Sequence, residues 1–323
     1  MMHSRVFSAA IVSAVALIMA GCTVGPNYKR PSVAVPQSFR SAPADTPAGS
    51  SVAQEPWPEV FHDPALQRLV QEALANNLDL RIAAQRIVEA QARVGIVRGD
   101  QLPSVSGGAG YSGIQVPQSF AATNPDGSSG KSILNGGGFS ASAAWNLDFW
   151  GLYRRQTEAA RAELLASEWG RRAVWLTLMQ NVAQSYFDLR GLDEQLQITQ
   201  RTIDTRKDSV RLTELLEKHG ASSLADVRQA EELLHGALAN VPELRGEIAS
   251  NENALSVLLG RNPGAIERGI PIAEQPYPDE VPVGVPSQLL ERRPDIQQAE
   301  AKLMAANARI GVARARNSSP RSL

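Results

Sequence analysis

The sequence predicts an α+β membrane protein in which long coiled-coil helices are joined to a β-hairpin of membrane-crossing length. Three observations predict it. Trp175, Val182, Leu189, Leu196, Ile203 and Val210 recur at every seventh residue within Leu152–Lys218, a stretch without proline. Phe139, Ala141, Ala143, Trp145, Leu147 and Phe149 alternate with Ser140, Ser142, Ala144, Asn146 and Asp148, the period of a strand with one apolar face. The chain also repeats itself at a shift of 216 residues, where Ala92–Arg98 matches Ala308–Arg314.

Composition narrows the function classes. Of 323 residues, 43% are hydrophobic and 20% charged, enough apolar material for a core and too much for a disordered chain. Lys plus Arg number 32 and Asp plus Glu 33, a net charge of -1 that excludes a basic nucleic-acid surface. One cysteine excludes an internal disulfide and any multi-cysteine metal site. The four histidines (His3, His62, His219, His235) are scattered. No Gly-Lys-Ser/Thr phosphate loop, His-Glu-x-x-His or Gly-x-Ser-x-Gly occurs, so neither enzyme chemistry nor a bound cofactor is expected.

Residues 1–21 read as an export leader: Arg5 supplies positive charge, Val6–Ala20 is apolar or small, and Met19-Ala20-Gly21-Cys22 resembles a bacterial lipobox. Lipidation of Cys22 is expected, because a thiol directly after a cleavage site has no core to enter. Each buried acyl methylene contributes about 0.8 kcal/mol, so two or more chains hold a protein on a bilayer. The competing reading is an ordinary leader with an inert, buried Cys22. Thr23 after the cysteine favours the outer membrane, by resemblance to other bacterial lipoproteins. Residues 22–60 are rich in Pro, Ser and Ala, a tether or a surface-hugging arm.

Residues 61–102 then form lead-in helices, Pro64–Ala75 and Leu78–Gly99. Pro103 ends the second, and 103–150 form the hairpin: a weaker strand at Ser104–Val116, a surface loop at Gln118–Gly138 and the strand Phe139–Phe149. A soluble, half-buried hairpin would show the same period. The aromatics Trp145, Phe149, Trp150 and Tyr153 at its end resemble an interfacial girdle instead.

Residues 151–260 form a long helical pair broken at His219–Ser223, with a second heptad series at Val227, Leu234, Val241, Ile248 and Leu255. Sustained heptads specify a left-handed supercoil, and at 1.5 Å per residue the first helix is on the order of 100 Å long. Pro242 is expected to bend the second. Periodicity leaves open whether two helices close on each other or several form a tube. Residues 261–286 are a Pro-rich linker, and 287–316 begin a second copy of the repeat.

Four segments carry a family resemblance: Cys22-Thr23-Val24-Gly25-Pro26-Asn27-Tyr28, Trp145-Asn146-Leu147-Asp148-Phe149-Trp150-Gly151, Ala254-Leu255-Ser256-Val257-Leu258-Leu259-Gly260 and Leu289-Leu290-Glu291-Arg292-Arg293-Pro294-Asp295-Ile296. They resemble NodT-type outer-membrane efflux lipoproteins, within the TolC-like outer membrane factors. The resemblance covers the chain up to Arg316. It implies a homotrimer whose protomers each give four strands to one transmembrane β-barrel in outer-membrane lipid, while their helices build a periplasmic α-barrel. It implies a conduit exporting drugs or other small molecules, docked on a periplasmic adaptor and an inner-membrane RND-type pump. It assigns Gly220, Ala221, Ser222, Ser223 and Leu224 to the adaptor-contacting tip, although an ordinary helix–helix loop suits these residues equally. It turns Phe139, Ala141, Ala143, Trp145, Leu147 and Phe149 toward lipid, and Asn146 and Asp148 toward the pore or merely toward water.

Family members continue past the second Ala-Arg-Ile-Gly with a Phe-Phe-Pro-type strand start, two more strands and another helical pair. Here Asn317–Leu323 stand instead. Codons for Asn317–Pro320 can read Phe-Phe-Pro in a shifted frame, so the expectation is a frameshift that cut off the second repeat and left 317–323 out of frame. No open downstream frame for the missing elements would refute it. Three such chains would supply six strands, fewer than about eight in the smallest ordinary barrels. The expected product is a non-functional fragment that does not complement a pump lacking its outer-membrane component. The alternative is a periplasmic coiled-coil structural lipoprotein without a pore.

Overall fold

The computed structural model describes residues 23–36, 56–116, 132–276 and 286–318. The leader, Cys22 and residues beyond Ser318 lie outside the described residues. In chain order the elements are α1 (Trp57–Val60), α2 (Pro64–Asn76), α3 (Leu78–Gly99), β1 (Ser104–Val116), β2 (Ser132–Ala144), α4 (Leu152–Lys218), α5 (Leu224–Leu258), a 3-10 turn (Ile272–Glu274), α6 (Pro286–Arg292) and α7 (Pro294–Ser318). They fall into two compact units: Met1–Lys29 with Ala90–Glu163 and Leu303–Leu323, and Arg30–Glu89 with Leu164–Lys302.

The second unit holds a helical core. Asp63 caps α2, its side chain accepting from the Ala65 N–H at 2.9 Å, and Pro64 fills the first turn, where no N–H is needed. Ala65, Leu66, Leu69, Val70 and Ala73 form one buried stripe at helical spacing. It packs in one cluster with Leu178, Met179, Val182, Tyr186 and Leu189 of α4 and Leu255 of α5. Each fully buried side chain of this kind contributes about 1.5–3 kcal/mol. Heptad burial continues along the pair: Ile203 and Val227 are buried, while Val210, Leu234, Val241 and Ile248 are half-buried. Trp175, the first residue of that series, is exposed. A second set of leucines on these helices, Leu212, Leu215, Leu233 and Leu238, faces outward.

A buried polar knot fixes the linker. The Asp63 carboxylate accepts from the Tyr186 hydroxyl (2.6 Å), the Gln275 amide (2.8 Å) and the Ile270 N–H (3.1 Å). Beside it Arg268 pairs with Asp193 at 3.0 Å and with Glu252. Burial pushes the Asp63 carboxyl up, but its four donors outweigh that and hold it below the ordinary carboxylate value. Burial and the bond to Asp63 push the Tyr186 hydroxyl up to about 12.

The repeat is structural as well as sequential. α2 ends at Asn76 and α6 at Arg292, and α3 starts at Leu78 and α7 at Pro294, each pair 216 residues apart. α7 continues through Asn317 and Ser318, so those two residues of the expected out-of-frame tail are helical.

In the first unit, β1 and β2 form a two-stranded antiparallel sheet, in register from Ser104↔Ala144 to Val116↔Ser132. The second strand is displaced from its expected bounds. Residues 132–138, read from their glycines as loop, are strand; Trp145, Asn146, Leu147, Asp148 and Phe149 are not. The cause lies on the partner strand. β1 starts after Pro103, which has no N–H to pair, so β2 loses its ladder beyond Ala144. Gly136, Gly137 and Gly138 are held extended opposite Ser112, Tyr111 and Gly110.

Candidate functional site: the hairpin faces and the helical tip

The register sorts the hairpin side chains onto two faces, because directly paired residues share a face. Val105, Ala109, Tyr111, Phe139, Ala141 and Ala143 lie on one; Ser104, Ser106, Ser112, Ser140 and Ser142 lie on the other. On the serine face the Ser106 and Ser142 hydroxyls bond at 2.8 Å, and Ser104 Oγ donates to the Ala144 carbonyl. Ile114 joins that face at its far end. Among the described residues both faces are exposed: on the apolar one Phe139 is 95% exposed, Val105 79% and Tyr111 76%.

Phe139, Ala141 and Ala143 thus occupy the apolar strand face expected of them, whereas Trp145, Leu147 and Phe149 are exposed residues of the connector into α4. Trp145 Nε1 donates to the Gln101 carbonyl at 3.1 Å. Asn146 and Asp148, expected on the pore side of a strand, also belong to this connector. Asp148 Oδ2 accepts from the Arg154 N–H at 3.0 Å and from Arg154 Nε at 3.4 Å, and Asn146 donates to the Tyr153 hydroxyl at 3.2 Å. They hold the first turn of α4.

The tip is an exposed turn of fixed geometry. Gly220 takes φ +74°, a conformation that disfavours any side chain, and its N–H bonds the Glu217 carbonyl while the Ala221 N–H reaches back to Leu216. That paired bond closes α4. Ser223 opens α5 with a capping box: Asp226 N–H donates to Ser223 Oγ, and Asp226 Oδ2 accepts from the Ser223 N–H at 2.9 Å. Hydrogen bonds from the Ser223 N–H and from the Ser223 and Ser222 hydroxyls hold the Asp226 carboxyl below its ordinary value. Leu224 stands exposed beside them.

The serine face was half legible, since Ser140 and Ser142 alternate with apolar residues; its partners Ser104 and Ser106 appear only once register is known. Asp63 and Tyr186 carry no sequence signal, because their partners lie far along the chain. Among the described residues no group of His, Cys, Asp or Glu is placed to hold a metal ion. Among them, too, no helix is long and apolar enough to cross a membrane.

Comparison with known proteins follows the same lines. Residues 69–261 match the family model described as outer membrane efflux protein. The chain is 36% identical over 307 residues to the probable efflux pump outer membrane protein TtgC of Pseudomonas putida, covering 93% of this chain and 62% of that protein. It is 35% identical over 302 residues to the cation efflux system protein CusC of Escherichia coli K12, covering 93% and 64%. Among solved structures, the open-state MtrE outer membrane channel of Neisseria gonorrhoeae superposes with a TM-score of 0.75 at 30% identity, over 91% of this chain and 64% of that one. The chain therefore spans somewhat less than two thirds of the length of these relatives. A mostly helical chain with one small antiparallel sheet, alike in sequence and fold to these channels, belongs to the outer membrane efflux protein family and, with it, to the outer membrane.

Proposed function

We propose that the chain is a channel subunit of a tripartite efflux system exporting drugs or other small molecules across the outer membrane. The carrying observation is the two-faced hairpin, exposed along its described side chains. An isolated two-stranded sheet is marginal in water, and its edges present unpaired N–H and C=O groups. In lipid each such group costs several kcal/mol, so a hairpin of this kind must join others in a closed barrel. Its apolar face then meets lipid and its serine face a wet lumen. Strands of other protomers sharing the barrel supply the neighbours. The outward-facing leucines of α4 and α5 favour a tube of helices over a closed pair.

In this reading Cys22 carries the lipid, the turn Gly220–Leu224 meets a periplasmic adaptor, and energy comes from an inner-membrane pump. Asn146 and Asp148 serve the first turn of α4 rather than selectivity. The test replaces Cys22 with serine and extracts outer membranes with alkaline carbonate. Retention of the unlipidated chain supports a hairpin embedded in lipid. Complete release would show a coiled-coil lipoprotein held only by its acyl chains. A photo-crosslinker at Ser222 is expected to capture a co-expressed adaptor; one at the mid-helix position Glu194 is not.

A further inference from the structure

Arg155, in the first turns of α4, is 3% exposed, and its guanidinium is spent largely on the N-terminal segment. Its Nη2 donates to the Gly25 carbonyl (3.1 Å) and to Asn27 Oδ1 (2.8 Å), its Nε to the Val24 carbonyl (3.3 Å), and its Nη1 pairs with Glu158 (2.7 Å). The Val24 N–H donates in turn to the Trp150 carbonyl at 3.2 Å, and Asn307 of α7 donates to the Pro26 carbonyl at 2.9 Å. The two backbones meet where Gly25 lies against Gly311. A Cβ on Gly311 would stand 2.8 Å from the Val24 carbonyl oxygen and 2.9 Å from the Arg155 side chain. The repeat supplies an internal control. Gly95, which aligns with Gly311 at the 216-residue shift, has nothing within 4 Å of its own Cβ position.

We propose that Arg155, Asn307 and Gly311 form a docking seat for the chain's own Thr23–Asn27 strap. The seat sets where the lipid on Cys22 enters the membrane. The strap bonds to Trp150, in the aromatic connector at the foot of the hairpin, and Thr23 directly follows Cys22. A docked strap therefore starts the acyl chains at the level of that connector, so that anchor and hairpin enter the same face in fixed register. Such exposed aromatics settle at the membrane interface, the depth at which a lipidated N-terminus must also sit. An undocked strap would leave the anchor on a loose tether. Arg155 is a positioning residue here, and the account of what it positions rests on Cys22 being lipidated.

The experiment uses the full chain in isolated outer membranes and the exposed trypsin site after Lys29. Cleavage there requires the neighbouring strap to leave its seat, so the rate reports the open population. Arg155→Gln removes the three charge-assisted bonds to the strap, together with the Glu158 pair, and is expected to speed cleavage by about tenfold or more. Gly311→Ala is expected to do the same by steric exclusion, while Gly95→Ala, the same change at the repeat-equivalent position, leaves the rate within about twofold of the parent. Helical circular dichroism unchanged in all three excludes global unfolding; if Arg155→Gln unfolds, the two alanine variants decide. Equal rates for Gly311→Ala and Gly95→Ala would overturn the seat. The mass of the released Cys22–Lys29 peptide is read separately. An unacylated peptide, released faster from Gly311→Ala, would overturn the lipid-positioning role and the lipidation of Cys22 while the seat itself stands.

Discussion

The helical core and the hairpin solve opposite problems with the same chain. Around α2 the apolar residues Leu66, Val182, Tyr186, Leu189 and Leu255 are fully buried, and the polar atoms among them are satisfied by one carboxylate. In the hairpin Val105, Tyr111 and Phe139 stand exposed. The first region is finished by its own sequence. The second is patterned for surroundings beyond its own described residues, which the proposed function takes to be lipid on one face and water on the other.

The largest effect should come from breaking the finished region. Asp63→Ala strands the Tyr186 hydroxyl, the Gln275 amide and two backbone N–H groups. It is expected to destabilise the helical unit by about 3–5 kcal/mol in urea unfolding followed by circular dichroism. A loss under about 1 kcal/mol would show that the knot is peripheral. The same knot sets the pH limits. The folded Asp63 carboxyl lies below its ordinary 3.8, so its contribution is present above that pH and is lost as pH falls through the folded value. Tyr186 is raised from 10.0 to about 12, so its contribution is present below pH 10 and is lost as pH climbs through about 12. Asp63→Asn should move the alkaline limb toward 10, read from tyrosinate absorbance.

A lysine at Ala141 probes the unfinished region. It is expected to cost about 2–4 kcal/mol of hairpin insertion into lipid vesicles, yet to leave the urea transition of the helices within about 0.5 kcal/mol. Equal effects in both assays would erase the contrast between the regions. The tip responds least. Ser223→Ala removes one cap and is expected to lower the stability of the first turn of α5 by about 1 kcal/mol, seen as faster amide exchange at Asp226 and Val227.

Legibility in the sequence followed the range of the interaction. The bounds of α3 and α4 were readable because proline, heptads and a glycine stop are local signals. The β2 bounds were not, because a strand is defined by its partner: only the pairing of Gly136, Gly137 and Gly138 with Ser112, Tyr111 and Gly110 shows that three consecutive glycines lie within it. Arg155 reads in sequence as an ordinary solvated residue of an amphipathic helix. Its role depends on a strap more than 120 residues away, and the Gly25 that makes room for it looks like a turn residue. The apolar half of the hairpin site was visible, and its serine half became complete only with the register.

The central claim is that the apolar face of β2 meets lipid while its serine face meets water. Spin labels placed singly at residues 138 to 143, in a Cys22→Ser background reconstituted into outer-membrane lipid vesicles, test it most directly. Accessibility to oxygen should peak at 139, 141 and 143, and accessibility to a water-soluble nickel chelate at 138, 140 and 142. A nickel chelate that reaches all six positions alike would place the hairpin in water and contradict the account.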